Sequence, residues 1–398
     1  MENIIPIDAL TLDRRPDVVR FWPRDNQYAV VGTYTLLEDE PSEGEESASQ
    51  QRIGSLNLIR IDNHEINVIE TLPTPFGVYD LQFAPAIDIQ NGNADAGSFA
   101  VASSTGSVAL YRLLASDIAD SIFPNPTIVH LYTIQYFPKD ILITSLDWRR
   151  HDLAAMTLSS GQVCLGRLSD PSVDAVLSVE LMQHDFQAWH CSFVVTKEGS
   201  ETPFGLISGG DDATLRYTPI GADQISELEL GGNLTVSPTQ TMPWADKKIH
   251  QAGVTAVMPI GRSSTGFLVI TGSYDDHIRL LHIPDTGRRE VLAEAYLEGG
   301  VFRIKLVQKR GEGKTGSGGT EQSHALLVSC MQAGARIVNL HKTEGQWRFD
   351  VNAKFDKNAG TLLYASDCRS TGSDYERTIV STSFEDRKLY LWKATVSS

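Results

Sequence analysis

The chain has 398 residues, with 34 Lys and Arg against 50 Asp and Glu, and a formal net charge of −16 at pH 7. Hydrophobic residues make up 41% and charged residues 21%, which supplies a core and excludes a globally disordered chain. The acidity argues against a nucleic-acid partner, because tracking phosphates needs basic surface, and points to neutral or basic partners.

From the N-terminus, MENIIPIDALTLDRR carries two acids early and no apolar stretch of signal-peptide length. Later runs such as FLVI and ALLV fall far short of the roughly 18 apolar residues of a membrane helix. Cys164, Cys191, Cys330 and Cys368 form no CxxC pair and no dense cluster, so reduced thiols are expected. The expectation is a soluble, cytoplasmic, monomeric protein with no membrane or direct nucleic-acid partner.

At about 150 residues per domain, length alone suggests two or three domains. An internal repeat overrides that. A polar turn followed by an alternating run recurs about every 55 residues. The copies are GSLNLIRI from Gly54, GSVALYRL from Gly106, GQVCLGRL from Gly161, ATLRYTPI from Ala213, HIRLLHI from His277, ARIVNL from Ala335 and KLYLWK from Lys388. Each unit divides into four short strands by period-two alternation between turn residues, the fifth reading GVTAVMPI, GFLVITGS, HIRLLHI and VLAEAYLE. Seven such units predict an all-β fold, a seven-bladed β-propeller occupying residues 1–398 as one domain. The last unit lacks a fourth strand, while Ala9 to Asp13 is a spare strand ahead of VVRFWP. The N-terminal strand is therefore expected to complete the last blade and close the ring.

Two inserts interrupt the pattern. Residues 38–50, EDEPSEGEESASQ, hold six acids and no base between the second and third strands of blade one, and read as a mobile loop. Residues 311–324 are Gly-rich, lie between the first and second strands of blade six, and read as a second mobile loop.

No GxSxG, HExxH, P-loop or GxGxxG motif occurs, and the histidines do not cluster at metal-ligand spacing. No metal or cofactor is expected. The polar residues worth weighing stand in the turns before third strands, Gly209 to Asp212, Ser273 to His277 and Phe384 to Arg387, and in the blade openings His184 to His190 and His250 to Gly253. These turns resemble those of WD-repeat proteins, in which a turn Asp and an opening His tie turn to strand. That resemblance implies structural roles for Asp212, Asp275, Asp386 and His250. Asp185, Asp211, Tyr274, Asp276, His277 and His190 are surplus to such a network and are functional candidates, since function collects on polar loops of rigid scaffolds. His184 shares the opening position of His250, yet followed by Asp185 it also forms an imidazole-carboxylate pair suited to general-base chemistry. Cys164 and Cys330 read as small core hydrophobes, and Trp148, Trp189 and Trp244 as packing aromatics.

Taken together, HDFQAWHCSF (184–193), SGGDDATLRY (208–217), TGSYDDHIRLLHI (271–283), GGVFRIKLV (299–307) and STSFEDRKLYLW (381–392) resemble the diphthine methylesterase family of WD-repeat enzymes. The likeness spans all seven units and is sharpest in the last four. It departs from the family pattern at Leu281, at Phe302, and from Ala359 to Ala365. The resemblance implies a hydrolase that removes the methyl ester from methylated diphthine, a modified histidine of translation elongation factor 2, with water as co-substrate. Hydrolysis needs a base and donors for the oxyanion, and the expectation from the residues themselves is His184 or His277 as base, oriented by Asp185 or Asp276, with Tyr274 or turn amides as oxyanion donors. Asp211, Tyr274 and His190 are then the candidates for holding the substrate and its quaternary ammonium group. A non-catalytic WD-repeat scaffold and a metal-dependent hydrolase remain the alternatives.

Overall fold

The computed structural model describes residues 2–37, 51–62, 64–85, 97–115, 125–150, 152–194, 204–220, 242–314, 320–356, 361–370 and 375–396. Within them every helix or strand element is a strand, and the strands form seven sheets. Blade one runs Arg15–Phe21, Tyr28–Leu36, Arg52–Asp62 and Glu65–Thr74, each strand antiparallel to the next. The first strands of the other blades are Val78–Phe83, Ile143–Arg150, Ala188–Val194, Val254–Ser263, Arg303–Lys314 and Ser366–Ser370. Each touches the next, and the last returns to Arg15–Phe21, so seven first strands surround one central axis.

Hydrophobic patterning explains the ring. A blade's inner strands are covered on both faces by neighbouring blades, so the alternation of a half-buried strand disappears there, and Leu153–Leu158 is buried at every position. The core is correspondingly divided into clusters between adjacent blades. Val19, Ala29 and Val31 of blade one pack with Val380 and Leu391 of blade seven, and Ile207 and Tyr217 of blade four pack with Val254 and Val269 of blade five. Full burial of each large aliphatic side chain contributes about 1.5–3 kcal/mol, so neighbouring blades stabilise one another.

The ring closes as the spare strand predicts. Asp8–Thr11 lies antiparallel to Lys388–Thr395, from Asp8 opposite Leu391 to Thr11 opposite Lys388, as the outermost strand of blade seven. One further strand is not legible in the sequence: Glu2–Asn3 adds in parallel to the edge of blade six beside Ala353 and Lys354.

The Gly-rich insert is shorter as a loop than its composition predicts. Strand Arg303–Lys314 runs into it, Thr320–Ser329 leaves it, and Gly313 still faces Glu321 in the ladder. Once Ile304 to Leu306 and Leu326 to Val328 set the register, backbone pairing continues without apolar side chains. His324 is a buried strand residue beside Trp347. Only residues 315–319 of this insert lie outside the described residues, whereas the acidic segment 38–50 lies wholly outside them. All four cysteines are free thiols, and burial pushes Cys164 and Cys330 up to about 12. No helix among the described residues is long and apolar enough to cross a membrane.

Candidate active site

The opening histidines sit inside the blades. His184 is 1% exposed, with Nδ1 2.9 Å from Asp212 Oδ1 and Nε2 2.9 Å from Ser208 Oγ. Both ring nitrogens are engaged, which leaves none for a water and corrects the expectation of His184 as base. Burial raises Asp212, but hydrogen bonds from His184 and from the amides of Asp185 and Thr214 outweigh it and hold the carboxyl at about 2. Asp185 does not orient His184. Its carboxylate is exposed and pairs with Lys247 at 2.7 Å.

Blade five repeats the arrangement with changed partners. His250 Nε2 meets Thr271 Oγ1 at 2.9 Å, while Asp275 accepts from the Gln251 amide and pairs with Arg279 at 2.8 Å. His277 is a third exposed, donates through Nδ1 to the Asp275 carbonyl at 2.6 Å, and leans on Tyr296 of the outermost strand. That carbonyl, rather than the Asp276 carboxylate, orients the ring. Asp276 takes the left-handed φ of 65° that the turn requires, and burial followed by Asp275 raises its carboxyl. In blade seven Asp386 accepts from Tyr390 Oη at 3.1 Å, and the Thr361 hydroxyl lies 3.0 Å from that of Ser383.

Convergence occurs instead at one mouth of the central channel. Tyr34, Tyr79, Trp189, Tyr274, Phe302 and Tyr364, supplied by six different blades, wall a cavity of about 80 Å³. Their rings form a belt: Tyr34 stacks on Tyr79 at 4.9 Å, Tyr364 lies 4.8 Å from Phe302, and Trp189 stands edge-on to Tyr274 at 6.0 Å and to Phe302 at 5.8 Å. Phe384 bridges Tyr34 and Tyr364 at 4.9 and 5.2 Å. Burial pushes the phenols of Tyr79 and Tyr364 up to about 12 and raises those of Tyr34 and Tyr274 further, so all four are neutral near pH 7. Asp211, at the rim, accepts a 2.6 Å hydrogen bond from Trp189 Nε1 and fixes the indole in the belt.

Two charged residues from inner strands also line this cavity, Asp17 and Arg303. Asp17 is 5% exposed, and no hydrogen bond contributes to the environment of its carboxyl. Burial raises its carboxyl to about 7 against the pull of Arg303, with Asp80 adding to the rise. Arg303 pairs with Asp80 at 3.3 Å and donates to the Tyr79 carbonyl at 3.1 Å, while its Nε is buried without a partner. Below, Arg303 also borders a larger cavity of about 370 Å³ toward the other end of the axis, lined by Arg20, Lys305, Asp147, Asp367 and His190. His190 therefore faces the deeper channel rather than the mouth, and burial, then Arg303, pushes it down to about 4. Among the described residues no three His, Cys, Asp or Glu side chains group as metal ligands.

Of the expected site residues, only Tyr274 and Asp211 belong to this mouth. Asp17, Arg303, Tyr34, Tyr79 and Tyr364 were not singled out from the sequence, and Trp189 was read as a packing residue. One signal was available: Asp17 stands between Pro16 and Val18 in the buried stretch of the first strand Arg15–Phe21.

A closed ring of seven four-stranded blades, with polar and aromatic residues gathered on its axis, defines a WD40-type β-propeller. The WD40 propeller of Doa1 superposes with a TM-score of 0.53 at 15% identity, covering 98% of this chain and 96% of that one. The WD40 repeats of RRP9 superpose with a TM-score of 0.57 at 10% identity, covering 98% of this chain and 99% of that one. No protein-family model matches the chain. Its relatives carry the name diphthine methyltransferase: the Schizosaccharomyces pombe protein is 26% identical over 98% of both chains. The Saccharomyces cerevisiae protein is 24% identical over 92% of this chain and 93% of its own. The human protein is 28% identical over 61% of this chain and 46% of its own.

Proposed function

We propose that this propeller hydrolyses the methyl ester of methylated diphthine on translation elongation factor 2, in the cytoplasm and as a monomer. Water adds to the acyl carbon, the bond to the methoxy oxygen breaks, methanol leaves, and the product ionises to the carboxylate that a separate ligase amidates. No cofactor takes part.

The aromatic mouth carries this reading. A quaternary ammonium group cannot donate a hydrogen bond, so it is recognised by π faces, each aromatic face contributing about 0.5–2 kcal/mol. Neutral Tyr34, Tyr79, Tyr274 and Tyr364 with Trp189 and Phe302 supply such faces, and the cavity of about 80 Å³ is on the scale of a trimethylammonium head. The relatives' name supports the same substrate, since it too concerns a methyl group on diphthine.

The test is incubation of purified protein with methylated elongation factor 2, followed by intact mass and methanol assay. Loss of one methylene equivalent with stoichiometric methanol is expected. A gain of one methylene that requires a methyl donor establishes transfer instead, and binding with no mass change establishes a scaffold.

A further inference from the structure

We infer that Asp17 is the general base of this site, taking the proton from the attacking water, and that Arg303 supplies the positive charge facing the oxyanion. The inference rests on the ester-hydrolysis reading. Among the described residues Asp17 is the only carboxylate lining the aromatic cavity, it is buried, and Arg303 and Asp80 act on it as charges rather than as hydrogen-bond partners. The other carboxylates nearby are committed: Asp211 to Trp189, and Asp80 to Arg303, Arg20 and the amides of Leu81 and Leu146. The histidines are committed too or lie elsewhere, His184 and His250 inside blades, His277 on the outer strands and His190 in the deeper channel.

The step balances. As the water oxygen bonds to the acyl carbon, one water proton passes to the Asp17 carboxylate and the carbonyl oxygen becomes an oxyanion near Arg303. When the intermediate collapses, the bond to methoxy breaks and Asp17 returns its proton to the departing oxygen, so methanol leaves and Asp17 is again ionised. A base acts best when its own acidity lies near the working pH, which burial arranges here against the opposing charge of Arg303.

The experiment measures methanol release from methylated elongation factor 2 by the full-length wild type and D17N, alongside binding of tetramethylammonium ion followed by Trp fluorescence. D17N is expected to lose about 100- to 10,000-fold in kcat while tetramethylammonium binds within about threefold of wild type. In wild type, kcat/KM should rise with pH to a plateau above about 7, and the groups facing Asp17 that set this are Arg303, Asp80 and the neutral phenols of Tyr34, Tyr79, Tyr274 and Tyr364. D17N should fold. A carboxyl raised by burial destabilises the native state as pH climbs from its unfolded value to its folded one, so at pH 8 the amide variant should melt no lower than wild type. Unchanged kcat in D17N overturns the assignment and leaves the hydrolysis reading standing. Loss of tetramethylammonium binding with kcat retained makes Asp17 a counter-ion instead. A wild type that releases no methanol overturns both.

Discussion

Tyr79, Tyr274 and Tyr364 make the clearest contrast between a residue's type and its place. Each phenol is neutral near pH 7 and burial moves it further from ionising, so the rings offer a cation their π faces while the hydroxyls remain donors. Removing one face should weaken ground-state binding more than chemistry. Tyr364→Leu is expected to raise KM about 5- to 30-fold, the equivalent of about 1–2 kcal/mol, with kcat within about threefold, whereas Tyr364→Phe should stay near wild type. Steady-state methanol release checks both. Residue types in the line of sequence drew attention to imidazoles, because His184 beside Asp185 looks like a base and its orienter. The fold turns that pair apart, giving the imidazole to Asp212 and Ser208 and the carboxylate to Lys247. No local pattern distinguishes these outcomes, since the deciding partners lie more than twenty residues away.

At the scale of the element, period-two alternation made the strands readable, and turn chemistry marked the units. What alternation does not show is how closely blades approach at the mouth. Gly272 is the penultimate residue of the second strand of blade five, where an added Cβ would lie 2.3 Å from Val301 Cγ1, and one added at Gly32 would lie at the same distance from Val78 Cγ1. Both contacts involve the chain entering the next blade, so these glycines set blade spacing beneath the aromatic belt. Gly272→Ala should therefore cost about 1–3 kcal/mol in denaturant unfolding, with the midpoint falling and the m-value unchanged. The Gly-rich insert shows the converse failure. Its composition reads as linker, but a hairpin whose register is set by Ile304 and Val328 extends by backbone pairing alone.

For the whole molecule, closure links the two ends of the chain. Strand Asp8–Thr11 and the residue after it add Leu10 and Leu12 to the cluster between blades seven and one, and backbone bonds from Ile7 to Leu391 and from Leu12 to Arg387 extend its pairing. Deleting residues 1–13 exposes the edge of Lys388–Thr395 and is expected to remove on the order of 5 kcal/mol, from the buried Leu12, the partly buried Leu10 and several ladder hydrogen bonds. A fall in melting temperature with conversion to oligomers in light scattering would show it, and unchanged melting would mean that the ring does not depend on this strand. The acidity of the chain also has a location, since six acids fall in segment 38–50, which continues from the strand carrying Tyr34. Repeat length, strand period and the spare N-terminal strand are local or serial properties, so the seven-bladed ring and its closure were legible before any coordinates. The mouth was not. Tyr34, Tyr79, Trp189, Tyr274, Phe302 and Tyr364 are scattered over more than three hundred residues, each resembling a packing aromatic in its own strand or turn. Only closing the ring points six blades' side chains at one axis, and only the burial that results turns Asp17 from one of fifty acids into a carboxyl poised near neutrality.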